Sequence, residues 1–153
     1  MSKRPFVIFG IFAALCVLVI PIVALGKEGD EDAGTVEVAS RDREAQDLFA
    51  TNCGPCHTLA AGGTDGVVGP NLDELLVPSA VNSSASFDGN ATRVMNAVTC
   101  GIGGRMPRGI LETAEAQEVS KFVAAYAGQV GAGPVVDTST AKDPPAPDPK
   151  TCQ

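Results

Sequence analysis

The stretch Cys53-Gly54-Pro55-Cys56-His57 holds the only histidine of the 153-residue chain. Two thiols three residues apart, followed at once by an imidazole, can form thioether bonds to both vinyl groups of a haem and reach its iron from one face, so the string reads as a c-type haem attachment site. With one histidine and one such string, the chain can hold at most one such group, and bis-histidine ligation is excluded. Two other chemistries use the same spacing: the redox-active dithiol of thioredoxin-like proteins, and a zinc site completed by a later Cys. The dithiol needs a preceding strand within a βαβ unit. Here Ala45, Leu48 and Phe49 recur at helical spacing from Ser40, which is placed to cap, with Asp42 and Glu44 in the first turn. The string is therefore expected at the C-terminal end of a helix, where the macrodipole does not activate a thiolate. Haem attachment is the favoured reading.

A low-spin electron-transfer haem takes a second axial ligand, and the thioether of Met is the one that raises potential. Besides the initiator, the chain offers Met95 and Met106. Met95 falls among Ala91, Val94 and Val98, spaced as the buried face of a helix, and is read as core filling. Met106 lies in Gly101-Ile102-Gly103-Gly104-Arg105-Met106-Pro107-Arg108-Gly109, too rich in Gly and Pro for regular structure and able to approach a flat cofactor closely.

Across Arg41 to Gln129 the sequence resembles the class I cytochrome c family. Five features carry the resemblance: Phe49 four residues ahead of the first haem Cys, the CxxCH string, the segment Gly69-Pro70-Asn71-Leu72, the Met106-Pro107 pair, and a closing amphipathic helix. In that helix Val119, Phe122, Val123 and Tyr126 form one apolar stripe, from a Thr113 cap to Gly128. The resemblance implies one covalent haem c bound by Cys53 and Cys56, its iron held by His57 and Met106, with Pro70 and Leu72 beside it. It also implies that the Pro70 carbonyl accepts a hydrogen bond from the second nitrogen of His57, which fixes the ring and tunes the iron. Phe49 and Tyr126 are expected to meet where the closing helix crosses the first one.

Ahead of this region, Lys3 and Arg4 precede an uncharged run from Phe6 to Leu25 with fourteen Leu, Ile, Val or Phe residues. On an insertion scale that run favours the bilayer by roughly 4 to 8 kcal/mol, and its basic flank keeps the N-terminus inside. A retained anchor is favoured over a signal peptide cleaved near Ala24-Leu25-Gly26. The expected organisation is an N-terminal anchor at 1–26, an acidic linker at 27–40, a haem domain at 41–129 and a Pro-rich tail at 130–153, extended or disordered. The expected fold class is all-α: a small class I cytochrome c-type haem domain with one N-terminal transmembrane helix. The haem domain is expected on the extracytoplasmic side.

The net charge of −7 makes anionic membranes and nucleic acid poor partners and favours a basic docking site on a redox partner. With Cys16 in the apolar run and Cys53 and Cys56 engaged by haem, Cys100 and Cys152 remain. Two leftover thiols outside the cytoplasm are expected to pair. The function implied is one-electron transfer, not enzymatic turnover, between a membrane quinol-oxidising complex or dehydrogenase and a terminal oxidase or reductase. A fixed haem c subunit of a larger respiratory or photosynthetic complex and an anchored thiol–disulfide oxidoreductase using Cys53 and Cys56 remain open.

Overall fold

Helix α1, Arg43–Asn52, is entered through a 3-10 turn at Ser40–Asp42 and buries Ala45 and Phe49, one helical turn apart. The computed structural model describes Leu15 of a first compact unit, Met1–Ala33, and residues 36–76, 84–129, 133–134, 136–148, 150 and 152 of a second, Gly34–Gln153. After α1 come a two-residue strand β1, Thr58–Leu59, a 3-10 turn at Ala60–Gly62, and strand β2, Thr64–Asp65. Three helices follow: α2 (Leu72–Leu75), α3 (Ser84–Cys100) and α4 (Thr113–Tyr126).

Two parts of the expected fold class are corrected. The domain is not all-α. It is about half helical with a small antiparallel sheet, in which Thr58 pairs with Asp65 and Leu59 with Thr64. Gly63, at φ +62°, closes the intervening turn, and the Thr64 hydroxyl donates to the His57 carbonyl at 2.9 Å, so the hairpin grows directly from the end of the CGPCH turn. Nor does any helix among the described residues have the length and apolarity to cross a membrane. Apart from Leu15, the run Phe6 to Leu25 and its candidate cleavage site lie outside the described residues.

The core is organised by α4, whose residues Val119 to Tyr126 are all buried. Its inner side meets α3 and α1. Phe49 packs on Phe122 at 6.3 Å between ring centroids, and Phe122 on Tyr126 at 5.0 Å. Phe49 thus has its ring contact one turn earlier than the expected Tyr126. Burial of each such ring is worth roughly 1.5–3 kcal/mol. Tyr126 instead uses its hydroxyl: it donates to the buried Asp42 carboxylate at 2.7 Å and accepts from the Ala39 N–H at 3.0 Å. The caps also differ from expectation. Ser40 begins the 3-10 turn, and α4 starts from Glu112, which forms a reciprocal capping box with Glu115.

The tail is extended, but it is docked. Val136 and Ala141 pack on the core, the buried Thr138 donates its hydroxyl to Asp42, and Asp143 pairs with Lys121 at 2.8 Å. Gln117 then donates to the Pro144 carbonyl at 3.2 Å, and Cys152 is disulfide-bonded to Cys100, with the Cα atoms 5.1 Å apart. The segment therefore runs antiparallel to α4 as a strap over its outer side. Burial alone would lower the Lys121 ammonium, but the carboxylates of Asp143 and Glu118 outweigh it and raise its pKa. The last residues of the expected linker also join the core, since Val36 and Val38 pack against it.

Replacement of Cys100 and Cys152 together by Ser is expected to lower stability by about 2–4 kcal/mol in urea titrations, because the bond closes a long loop through α4. Burial pushes the Tyr126 phenol from 10.0 up to about 12, with the Asp42 carboxylate adding to the rise. The unfolded chain therefore releases this proton first, and stability should decline as pH rises from about 10 toward 12. Tyr126→Phe should remove that component of the alkaline decline while costing about 1–3 kcal/mol at neutral pH, because Asp42 loses a buried donor.

Candidate functional site

The CGPCH string occupies a tight turn at the C-terminal end of α1. The Phe49 carbonyl accepts from the N–H groups of both Cys53 and Gly54, at 2.8 and 2.9 Å, and the Cys53 carbonyl accepts from those of Cys56 and His57, at 3.0 and 2.9 Å. Cys53 is buried in the main core, whereas Cys56 is exposed, and both are free thiols. The Phe49 side chain, anchored on Phe122, thereby fixes the helix end from which both cysteines project.

His57 is oriented from its other side. Its Nδ1 lies 2.9 Å from the Pro70 carbonyl, an acceptor only, so Nδ1 must carry the proton in that bond. Nε2, which then holds the free lone pair, has no hydrogen-bond partner among the described residues. That is the state an imidazole needs to ligate a metal through Nε2.

Three glycines make this arrangement possible. A Cβ on Gly69 would sit 2.5 Å from His57 Cε1, one on Gly66 2.5 Å from the Gly54 carbonyl oxygen, and one on Gly54 2.5 Å from the Ala50 carbonyl oxygen. Backbone therefore closes directly on the CGPCH turn and on the imidazole. Between Gly66 and Gly69, Val67 and Val68 are 89% and 82% exposed, leaving apolar surface beside the histidine. Gly54 belongs to the string and Gly69 to the Gly69-Pro70-Asn71-Leu72 segment that carries the resemblance, whereas Gly66 and Thr64 have no signal in the sequence beyond their place between the two.

Leu72 opens α2 and packs, half-buried, against the main core. Asn71 caps that helix by accepting from the Asp73 N–H at 3.0 Å. The Asp73 carboxylate in turn accepts from the Ala60 N–H at 2.7 Å and the Gly128 N–H at 2.9 Å, binding the Pro70 segment to the hairpin and to the end of α4. Asp73 is a positioning residue with no signal in the sequence beyond its place after Asn71.

Met106 belongs to a second apolar cluster with Met95, Val98 and Ala116, not to the core that holds Cys53. Met95 is fully buried there, and the Ser120 hydroxyl lies 3.8 Å from its sulfur. Met106 is only half-buried, at the end of a short hairpin in which Ile102 and Met106 exchange two backbone hydrogen bonds of 3.2 Å. The structure thus brings Cys53, Cys56, His57 and Pro70 together, while Leu72 and Met106 come from neighbouring elements.

The donor set fits one haem held from its histidine side: two free thiols, an imidazole with Nε2 available, and glycine backbone against the ring. It fits zinc poorly. Among the described residues no group of three or more His, Cys, Asp or Glu side chains could hold a metal ion, and Cys100 and Cys152 are bonded to each other. No protein-family model matches the chain, and no curated protein matches it.

Burial, reinforced by the neighbouring Cys56, pushes the Cys53 thiol from 9.0 up to about 11. At pH 8 only about one molecule in a thousand would carry a Cys53 thiolate. In the haem-free chain, iodoacetamide should therefore modify the exposed Cys56 well before Cys53, and Cys53 only on unfolding. Peptide mapping of a time course measures the order; faster modification of Cys53 would mark it as an activated nucleophile.

Proposed function

We propose that the domain is a mono-haem c-type cytochrome of the class I kind, a one-electron carrier on the extracytoplasmic side of a membrane. The observation that carries this reading is the paired state of His57: Nδ1 committed to Pro70, Nε2 left available, in the turn that presents both cysteines. A bound haem iron would supply one-electron exchange between Fe(III) and Fe(II). In this reading Cys53 and Cys56 would hold the group covalently, and His57 would ligate its iron through Nε2. The Pro70 carbonyl would fix the ring's orientation toward the group.

Met106 is the second residue proposed to hold the iron. Met95 is enclosed with Val98 and Ala116, whereas Met106 is half-buried on a loop with glycines on either side. Two protein ligands would leave no open coordination position for a substrate, which favours electron transfer over catalysis at iron. Val67 and Val68 provide apolar surface at the histidine end of the site. The alternative reading as a thiol–disulfide oxidoreductase is disfavoured by Cys53 itself. That function needs the first thiol of the pair activated, whereas this one is buried and its pKa is raised.

The donor is proposed to be a membrane quinol-oxidising complex or dehydrogenase, and the acceptor a terminal oxidase or reductase. The apolar run Phe6 to Leu25 supports tethering at the membrane, and the Cys100–Cys152 disulfide supports an oxidising compartment.

Expression of the full chain with a haem-attachment system should give haem that stays on the denatured polypeptide, and Cys53→Ser with Cys56→Ser should abolish it. Met106→Ala should eliminate the weak near-infrared sulfur-to-iron charge-transfer band, lower the potential and admit exogenous ligands, while Met95→Ala should affect chiefly stability. A wild-type chain that keeps both thiols free and catalyses disulfide exchange would overturn the reading.

A further inference from the structure

The strap has two parts that are held very differently. The first joins the core: Val136 and Ala141 pack against buried residues, the buried Thr138 has its hydroxyl on Asp42, and Asp137 pairs with Arg41. The second, 142–152, lies on α4 with less to keep it there, and none of its described residues belongs to either apolar cluster. The Asp143 side chain, 57% exposed, meets Lys121, and Gln117 donates to the Pro144 carbonyl. A half-solvated ion pair and a neutral hydrogen bond each contribute little, while ordering a chain of this length costs conformational entropy. The Cys100–Cys152 bond supplies what these contacts lack, because it keeps the second part beside α4 and makes its docking intramolecular at both ends.

That bond is placed where a thiol can reach it. Cys100 and Cys152 are both half-exposed, unlike Cys53, which is enclosed in the core. Cys100 is the last residue of α3, where the negative end of the helix dipole disfavours a thiolate, so Cys152 is the better leaving group when the bond is attacked. Beneath the second part of the strap, Lys121 is only 7% exposed, and its ammonium lies 2.8 Å from Glu118 of its own helix and 2.8 Å from Asp143 of the strap. One of its two partners therefore leaves, and its cover with it, if the strap lifts.

We infer that the strap is a thiol-operated latch: reduction of Cys100–Cys152 by a dithiol frees 142–152 from α4 and uncovers Lys121 and Gln117, while 136–141 stays docked. In the exchange a thiolate of the dithiol attacks the Cys100 sulfur, the bond to Cys152 breaks, and Cys152 leaves as a thiolate that takes up a proton. The second thiol of the dithiol then attacks the mixed disulfide and releases Cys100 as a thiol. Two electrons and two protons pass to the cysteines, and the dithiol ends as a disulfide. The partner class is thus a dithiol–disulfide exchange protein, with this bond as its substrate. The effect reaches beyond the strap, because α4 places Ala116 in the Met106 cluster and Phe122 against Phe49. Uncovering its outer side loosens the element on which both rest. The latch operates whether or not haem is attached.

Amine labelling of the full chain in detergent, mapped by mass spectrometry, tests this. With the bond intact, an acetyl succinimidyl ester should modify the exposed Lys142 and Lys150 and leave Lys121 nearly untouched. Dithiothreitol should raise Lys121 labelling about tenfold, with alkylatable thiols appearing at Cys100 and Cys152 and helix content by circular dichroism retained. Cys152→Ser should give the same rise without any reductant, which separates the bond from other effects of the dithiol. Free thiols at both positions with Lys121 still protected would overturn the latch, and so would a bond that dithiothreitol cannot open in the folded chain. A rise accompanied by loss of helix or, in the haem-free chain, by rapid alkylation of the buried Cys53 would also overturn it, since that is unfolding of the domain and not release of the strap. None of these readouts uses the haem, so failure here and failure of the cytochrome reading are separable.

Discussion

Helix α4 buries every residue from Val119 to Tyr126, including Ser120 and Lys121, and a helix buried all round must be covered on every side. Helices α3 and α1 can cover only part of that circumference. The remainder is taken by the strap, and its chemistry follows from what it has to cover: Asp143 answers Lys121, the Pro144 carbonyl answers Gln117, and Thr138 supplies a second donor to the carboxylate that Tyr126 already engages. Each polar group that α4 buries thus finds a partner, as burial requires. The disulfide to Cys100 then fixes the far end of the strap, so a tail of low apolarity stays docked through a few specific bonds and one covalent link.

The same helix determines where the CGPCH turn sits. Phe122 receives Phe49, Phe49 fixes the last turn of α1, and the carbonyl of Phe49 accepts the N–H groups that open the cysteine turn. Beyond the turn, the hairpin and α2 return backbone to the histidine, with Asp73 joining Ala60 to Gly128 and Pro70 closing on Nδ1. Bare glycine is required at this closure because a single Cβ at Gly69 would overlap the imidazole. The ring orientation is therefore a product of helix packing on one side and close backbone approach on the other.

Much of this was legible in the residues, and the gaps have physical causes. The apolar periodicity of Ala45, Leu48 and Phe49 and of Val119, Phe122, Val123 and Tyr126 marks two helices; all of these but the half-buried Leu48 are buried, Met95 is fully buried as read, and α4 is enclosed beyond its expected single stripe. The hairpin was not legible, since two-residue strands offer no alternation to detect; it is set by Gly63 and by the Thr64 hydroxyl reaching the His57 carbonyl. Ser40 and Thr113 are good capping residues at plausible positions. Asp42 and Glu112 hold the cap positions instead, and the Asp42 carboxylate serves Tyr126 and Thr138. Composition marks the tail as extended and the cysteine count suggests the tie at Cys152, but its other attachments depend on partners some 20 to 100 residues distant, which no local pattern encodes.

His57 and Met106 are braced independently. The histidine is held by Pro70, Gly69 and the main core, the methionine loop by Cys100, Gly101, Gly109 and the second cluster. Their common element is α4, which places Ala116 in the cluster of Met95 and Met106 and Phe122 in the cluster of Phe49 and Cys53. Six residues of helix separate those two contacts, about 9 Å along the axis. A helix transmits such a spacing rigidly, so the separation of the two braced sites depends on α4 remaining intact and covered along its length. The strap therefore matters to the site even though, among the described residues, it forms no hydrogen bond or ion pair with His57 or Met106: by enclosing α4 it keeps fixed the rail along which both are positioned.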